Sequence, residues 1–254
     1  MFWFKRKKLV VDCFVNIPAV YELFKIDKAN KFIPNEWKSL PAFEELKADG
    51  NPRTNMTVSV STAKRCYALG NLFSTGFILP SWSDFGIEVL HDGTYNIVDP
   101  MRTMQQDTSS HPSWMYWDNL YKGYQHIKLS SPWLIREKSG VNFAWNQVDY
   151  QNTERYTNVH ILSGIVDYKA QHDTHVNMFV KQGSVTHFKA GEPLVQIIPI
   201  TESDVDIKCH LISDQEYGEM TRSYGQKVMW HGQHRELSRA KNESKCPFGF
   251  KSKI

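Results

Sequence analysis

The stretch "DYKAQHDTH" at 167–175 places Asp167, His172, Asp173 and His175 within nine residues, all of types that bind metals or move protons. A zinc or iron centre needs three or more such ligands converging on one point. His172 and His175 are three apart, so on a strand they face opposite ways, whereas in a loop they can converge. His160 and His187 join them only where neighbouring strands turn both to the same side. The chain contains no H-x-H pair. His172, Asp173 and His175 are therefore expected in a hydrated loop leading into a strand, and no cofactor is expected.

Nucleophilic chemistry has less to work with. There is no G-x-S-x-G turn, no cysteine with a distinctive setting beside a histidine, and no phosphate-cradling glycine loop. The loop "SSHPSWMYWD" (109–118) is different, because His111, Trp114, Tyr116 and Trp117 fall close together. Aromatic side chains so placed can stack on a base or a sugar, form a protein contact, or lie down on the fold as a lid. A lid or a partner contact is the expectation.

These residues need elements to position them. The 254 residues, 41% apolar and 22% charged, describe a globular chain that can bury a core without disulfides. Aromatic content of 13%, with eight tryptophans, favours strands or an interaction surface. A net charge of +3 does not by itself indicate nucleic acid. Cys13, Cys66, Cys209 and Cys246 are scattered and read as reduced thiols of a cytosolic setting. The basic, apolar start is interrupted by Asp12 and Asn16, so "KLVVDCFV" is expected to be an edge strand rather than part of a signal peptide. No stretch reaches the ~20 apolar residues of a membrane helix.

Residues 27–60, with Pro34 and Pro41 and no clear period, read as an extended arm. One helix is expected from Ser61 or Thr62 to Gly76, with Cys66, Leu69, Leu72 and Phe73 on one face. "DFGIEVLHDGTYNIV" predicts a hairpin at Asp92–Gly93, and "PWLIREKSGVNFAWNQV" a second at Ser139–Gly140. Short strands follow in "VHILSGIVDY", "HVNMFVK", "VTHF", "PLVQIIPI" and "VDIKCHLIS". "DQEYGEMTRSYGQKVMW" predicts a helix, and from Lys227 onward seven Lys/Arg stand against two Glu. Such a basic tail can touch nucleic acid or an acidic partner.

The run 162–200 resembles the central hairpin of the dUTPase and dCTP-deaminase superfamily. Gly164, Ile165, Val166 and Asp167 match its G-[VI]-[IV]-D turn, and Phe188, Gly191, Glu192, Leu194 and Gln196 match the following strand. That resemblance implies a β-rich fold and, for activity, an Asp167 that orients the water attacking a nucleotide pyrophosphate. The superfamily's phosphate-binding and glycine-rich flap motifs are missing. A second resemblance covers more of the chain. "KFIPNEWKSLP", "STAKRCYALGNLFSTGFILPSWSDFGI", "SPWLIREKSGVNFAW" and the 162–200 run follow the order of an uncharacterised family encoded by tailed bacteriophages and other viruses. It implies a viral origin and no particular chemistry.

The expected fold is mainly β, a β-clip-like or jelly-roll barrel or sandwich with one helix in the N-terminal half and one at the C-terminus. Its parts are an N-terminal strand and arm (1–60), a β-rich core (61–212) and a helix with a basic tail (213–254). The expected function is that of a non-enzymatic viral protein in the virion or host cytoplasm. It would act through homo-oligomeric contacts or other virion proteins, with no membrane. The alternatives are a nucleotide-binding or nucleotide-hydrolysing protein using Asp167, and a metal-binding cupin-like enzyme using His172 and His175.

Overall fold

The computed structural model describes residues 8–47, 57–98, 108–111, 121–148, 150, 157–169 and 172–229. Trp114, Tyr116, Trp117, Cys246 and the basic tail from 230 onward lie outside them.

Among the described residues the fold is mainly β, and two larger sheets enclose the core. The first sheet runs Val159–Ile161 (β11), Asp173–Lys181 (β13), Tyr124–Glu137 (β9), Leu9–Val15 (β1) and Val205–Leu211 (β16), with Thr108–Ser109 (β8) added beside β9. The second runs Gly164–Asp167 (β12), Asn142–Gln147 (β10), Pro193–Pro199 (β15), Phe77–Pro80 (β5) and Asp27–Lys28 (β2). Ser184–Phe188 (β14), Phe85–Val89 (β6) and Tyr95–Val98 (β7) form a third, smaller sheet. The sheets remain open, so the sandwich form of the expectation holds and the closed barrel does not.

Side-chain alternation builds the core. On β13, Thr174, Val176, Met178 and Val180 are buried, while Asp173, His175, Asn177 and Phe179 take the other face. Val11, Cys13, Ile127, Trp133 and Ile135 of the first sheet meet Phe77, Phe143, Trp145, Val195 and Ile197 of the second. The apolar run of β15 is central in its sheet and needs cover on both sides, as its composition predicts. Its outer cover is the helix Tyr67–Ser74 (α3). The Gln196 Nε2 donates to the carbonyls of Leu72 and Thr75 at 2.7 and 2.8 Å, tying the last turn of α3 to the sheet. Gly76 then turns the chain into β5 at a φ of +74°, where a Cβ would lie 2.2 Å from the Ile197 carbonyl oxygen.

Several expectations change. "KLVVDCFV" is an interior strand, because β1 pairs antiparallel with β9 and parallel with β16. The single helix from 61 divides: Thr62 Oγ1 caps a short 3-10 turn at Ala63–Arg65, and α3 begins only at Tyr67. The arm also divides. Residues 29–39, including Asn35–Ser39 (α2), fold back on the outer side of the second sheet. There Ala29 joins Ile78 and Val148, and Trp37 packs edge-on against Phe73 at 4.8 Å. Only Phe43–Lys47 (β3) and Thr57–Ser61 (β4) stand apart, as a two-stranded ribbon. The C-terminal helix forms as expected at Asp214–Met229 (α4), and Ser213 caps it. Ser213 Oγ accepts from the Glu216 amide while the Glu216 carboxylate accepts from the Ser213 amide, a reciprocal capping box.

The Asp92–Gly93 hairpin is present between β6 and β7, with Gly93 at a φ of +86°. The turn at Ser139–Gly140 is also present, but β9 and β10 belong to different sheets and do not pair. It is a corner that carries the chain across the core. Its clamp is Glu137, only 2% exposed, whose carboxylate accepts the amides of Ser139 (2.5 Å), Gly140 (2.7 Å) and Val141 (2.9 Å) and the Ser139 hydroxyl. Glu137→Ala removes that acceptor and leaves buried donors unpaired. It should lower unfolding stability by about 3 kcal/mol, read by urea denaturation, whereas Lys138→Ala on the same turn should change it little.

Candidate functional site

Strand parity gives the first sheet one apolar face, turned to the core, and one polar face turned away from it. The polar face collects His160 from β11, Asp173, His175 and Asn177 from β13, and His126, Lys128, Ser130 and Arg136 from β9. Asp12 and Phe14 of β1 and His210 of β16 complete it. Local sequence motifs did not bring these residues together; only the pairing of five strands does.

At one end the described stem of the aromatic loop meets this sheet. β8 pairs with β9 through Thr108–Leu129 and Ser109–Lys128. The His111 amide donates to His126 Nδ1 at 3.2 Å, and the two rings are 5.3 Å apart. Tyr121 stacks flat on Phe179 at 3.9 Å, and His160 sits against Tyr124. His126 is 2% exposed, and burial, with the nearby His111, pushes its pKa down to about 4. Its neutral ring lets Nδ1 accept the His111 amide.

In the middle, His175 Nδ1 lies 3.2 Å from Ser130 Oγ, and His175 Nε2 lies 3.8 Å from Asp173 Oδ2. The residue types are those of a hydrolytic triad, but the geometry is not. A separation of 3.8 Å is too long for a hydrogen bond. Burial also raises the Asp173 pKa, against the pull of Lys128, and so disfavours the carboxylate that would orient an imidazolium. Asp173 in turn reaches α4: Tyr217 is pushed up to about 12, mainly by burial and further by this carboxyl group. At the far end His210 Nε2 meets Asp12 Oδ1 at 2.9 Å, and the His210 ring stacks on Phe14, over which Arg136 also lies.

The hydrated loop expected at His172–His175 is therefore mostly strand. β13 begins at Asp173, with an irregularity in its pairing to β9 between Asp173 and His175. His172 and His175 do not converge, since His172 Nδ1 faces the Ile135 carbonyl at 3.1 Å while His175 faces Ser130. His160 and His187 lie in different sheets. Among the described residues, no three His, Cys, Asp or Glu side chains are placed to hold a metal ion together.

Asp167 ends β12 in the other sheet, opposite Asn142, and its Oδ1 accepts the Lys169 amide at 3.0 Å. A site combining Asp167 with His111 is not built. The Tyr168 carbonyl accepts the Glu137 amide at one end of β9, whereas His111 docks on His126 near the other. Eleven residues of strand separate the two positions, on the order of 30 Å.

No family model matches the chain, and no curated protein matches it. No helix among the described residues is long and apolar enough to cross a membrane.

A histidine whose folded pKa is depressed contributes stability above its unfolded pKa, and that contribution is lost as pH falls through the folded value. For His126 the window runs from about 6.5 down to about 4. His126→Phe should flatten the decline of melting temperature across this window, read by thermal denaturation at a series of pH values.

Proposed function

We propose that this chain is a non-catalytic viral assembly protein, in the virion or host cytoplasm, that works by joining a second copy of itself. The observation that carries the reading is the β3–β4 ribbon. Its pairing places Leu46, Val58 and Val60 together on one face, and all three are exposed, as is Phe43 on the other. None of them belongs to a hydrophobic core cluster. An isolated two-stranded ribbon is marginally stable in water and offers unpaired edges for strand addition. A second copy supplies the missing apolar cover and, through a self-complementary contact, closes a symmetric pair. The aromatic loop and the basic tail remain further candidates for contact with other virion proteins or nucleic acid.

In light scattering after gel filtration, the full chain should run as a dimer or larger at tens of micromolar. Leu46→Asp with Val58→Asp should reduce it to a monomer that keeps its β-sheet circular dichroism, with a melting temperature that no longer rises with protein concentration. A monomeric wild-type chain would overturn the reading. Appearance of the protein among purified virion components would support the viral assignment.

A second reading, a deoxynucleotide-binding or deoxynucleotide-hydrolysing protein, draws on one arrangement. β12 and β15, which carry Gly164–Asp167, Leu194 and Gln196 of the dUTPase-like pattern, both flank β10. Against it, Asp167 is engaged in its own turn and Gln196 is engaged with α3. On the assembly reading, deoxynucleoside triphosphates with magnesium leave the melting temperature unchanged; a rise of several degrees would favour the nucleotide reading instead.

A further inference from the structure

Two cysteines far apart in the chain are brought face to face. Cys13 of β1 and Cys209 of β16 are register partners in a parallel pair, so their side chains leave the same face of neighbouring strands. Adjacent strands lie about 4.8 Å apart, within the ~4.4–6.8 Å Cα separation that a disulfide spans. Both are free thiols. Cys13 is fully buried, whereas Cys209 on the sheet's edge strand is half-buried, with Sγ 3.4 Å from the Ile26 carbonyl oxygen.

The surroundings divide the labour between them. The neighbouring Cys209 side chain raises the pKa of Cys13, and burial raises it further. Cys13 beside it, aided by the Lys25 ammonium, lowers the pKa of Cys209 against burial and the Asp27 carboxylate. The half-buried sulfur is thus the more readily deprotonated of the two, with the buried sulfur directly behind it. A low-pKa, accessible cysteine beside a resolving cysteine is the arrangement that peroxide oxidises selectively.

We propose that Cys209 and Cys13 form a peroxide-reactive dithiol that closes to a disulfide between β16 and β1. The Cys209 thiolate attacks one oxygen of hydrogen peroxide, the O–O bond breaks, and a sulfenic acid and hydroxide result. The Cys13 sulfur then attacks the Cys209 sulfur, a sulfur–sulfur bond forms, and the sulfenic oxygen leaves as water with the Cys13 proton. The two sulfurs together lose two electrons, and the peroxide gains them. The bond fixes the strand from which α4 departs to the middle of the first sheet.

The test is made on the full wild-type chain. It is titrated with hydrogen peroxide, alkylated, digested without reduction and mapped by mass spectrometry, with the exposed Cys66 as an internal reference. A Cys13–Cys209 linked peptide should form at peroxide doses that leave Cys66 alkylatable, and the melting temperature should rise by about 5 °C. In Cys13→Ser, Cys209 should accumulate as a sulfenic acid trapped by dimedone. In Cys209→Ser, Cys13 should stay unmodified. Because Cys13 sits in the core, the wild-type map decides alone if a variant does not fold. Oxidation of Cys66 ahead of Cys209, a Cys209 oxidised without the link, or a link through Cys246 would each overturn the proposal.

Discussion

The buried carboxylate of Glu137 holds the point at which the chain leaves one sheet for the other. A carboxylate removed from water is costly unless every lone pair finds a donor, and here consecutive backbone amides supply them. In return the carboxylate fixes the corner, and with it the register of the strands on its far side. β10 can pair with β12 and β15 only if the chain crosses at Ser139–Gly140 in this orientation. Tyr168 depends on the same crossing. Its hydroxyl, buried and held well above its ordinary pKa by that burial, accepts the Trp145 indole N–H at 2.6 Å in the middle of the core.

The crossing also explains why chemistry-bearing side chains gather where they do. From β9 to β13 the chain alternates between the two sheets. Each strand therefore has one face claimed by the core and the other left for polar residues. On the first sheet the unclaimed side holds His126, His160, His175 and His210, partly screened by the stem at His111 and by Tyr217 of α4. The second sheet uses its outer side differently, covering it with α3 and the folded-back segment around Trp37. One sheet thus carries an apolar cover, while the other carries polar groups.

Local signals were readable and distant ones were not. The Asp92–Gly93 hairpin is specified by a turn that only a few residues satisfy, and the Asp92 carboxylate reinforces it by accepting the Thr94 amide and hydroxyl. The mainly β class and the C-terminal helix were likewise legible, since alternation and a helix-start signature are written in neighbouring residues. The turn at Ser139–Gly140 could be read, but the change of sheet could not, because strands on either side alternate identically whichever sheet they join. The arm at 27–60 misled for a related reason. Its lack of period hid Ala29 and Trp37, whose burial is decided by Ile78 and Phe73 elsewhere. Among the candidate residues, Asp12, Ser130 and His210 left no local trace; their positions follow from parity on strands that meet only after folding.

The parallel pairing of β1 with β16 has a consequence for the order of events during synthesis. Asp12 and His210, which meet across it, are 198 residues apart. At ordinary translation speeds, roughly 10 to 40 seconds pass between the emergence of the two strands. During that interval β1 can pair with β9 once the latter emerges, but its other edge stays open. Among the described strands the first made is completed by the last, so the open edge of a half-built sheet has to be endured or shielded until β16 emerges.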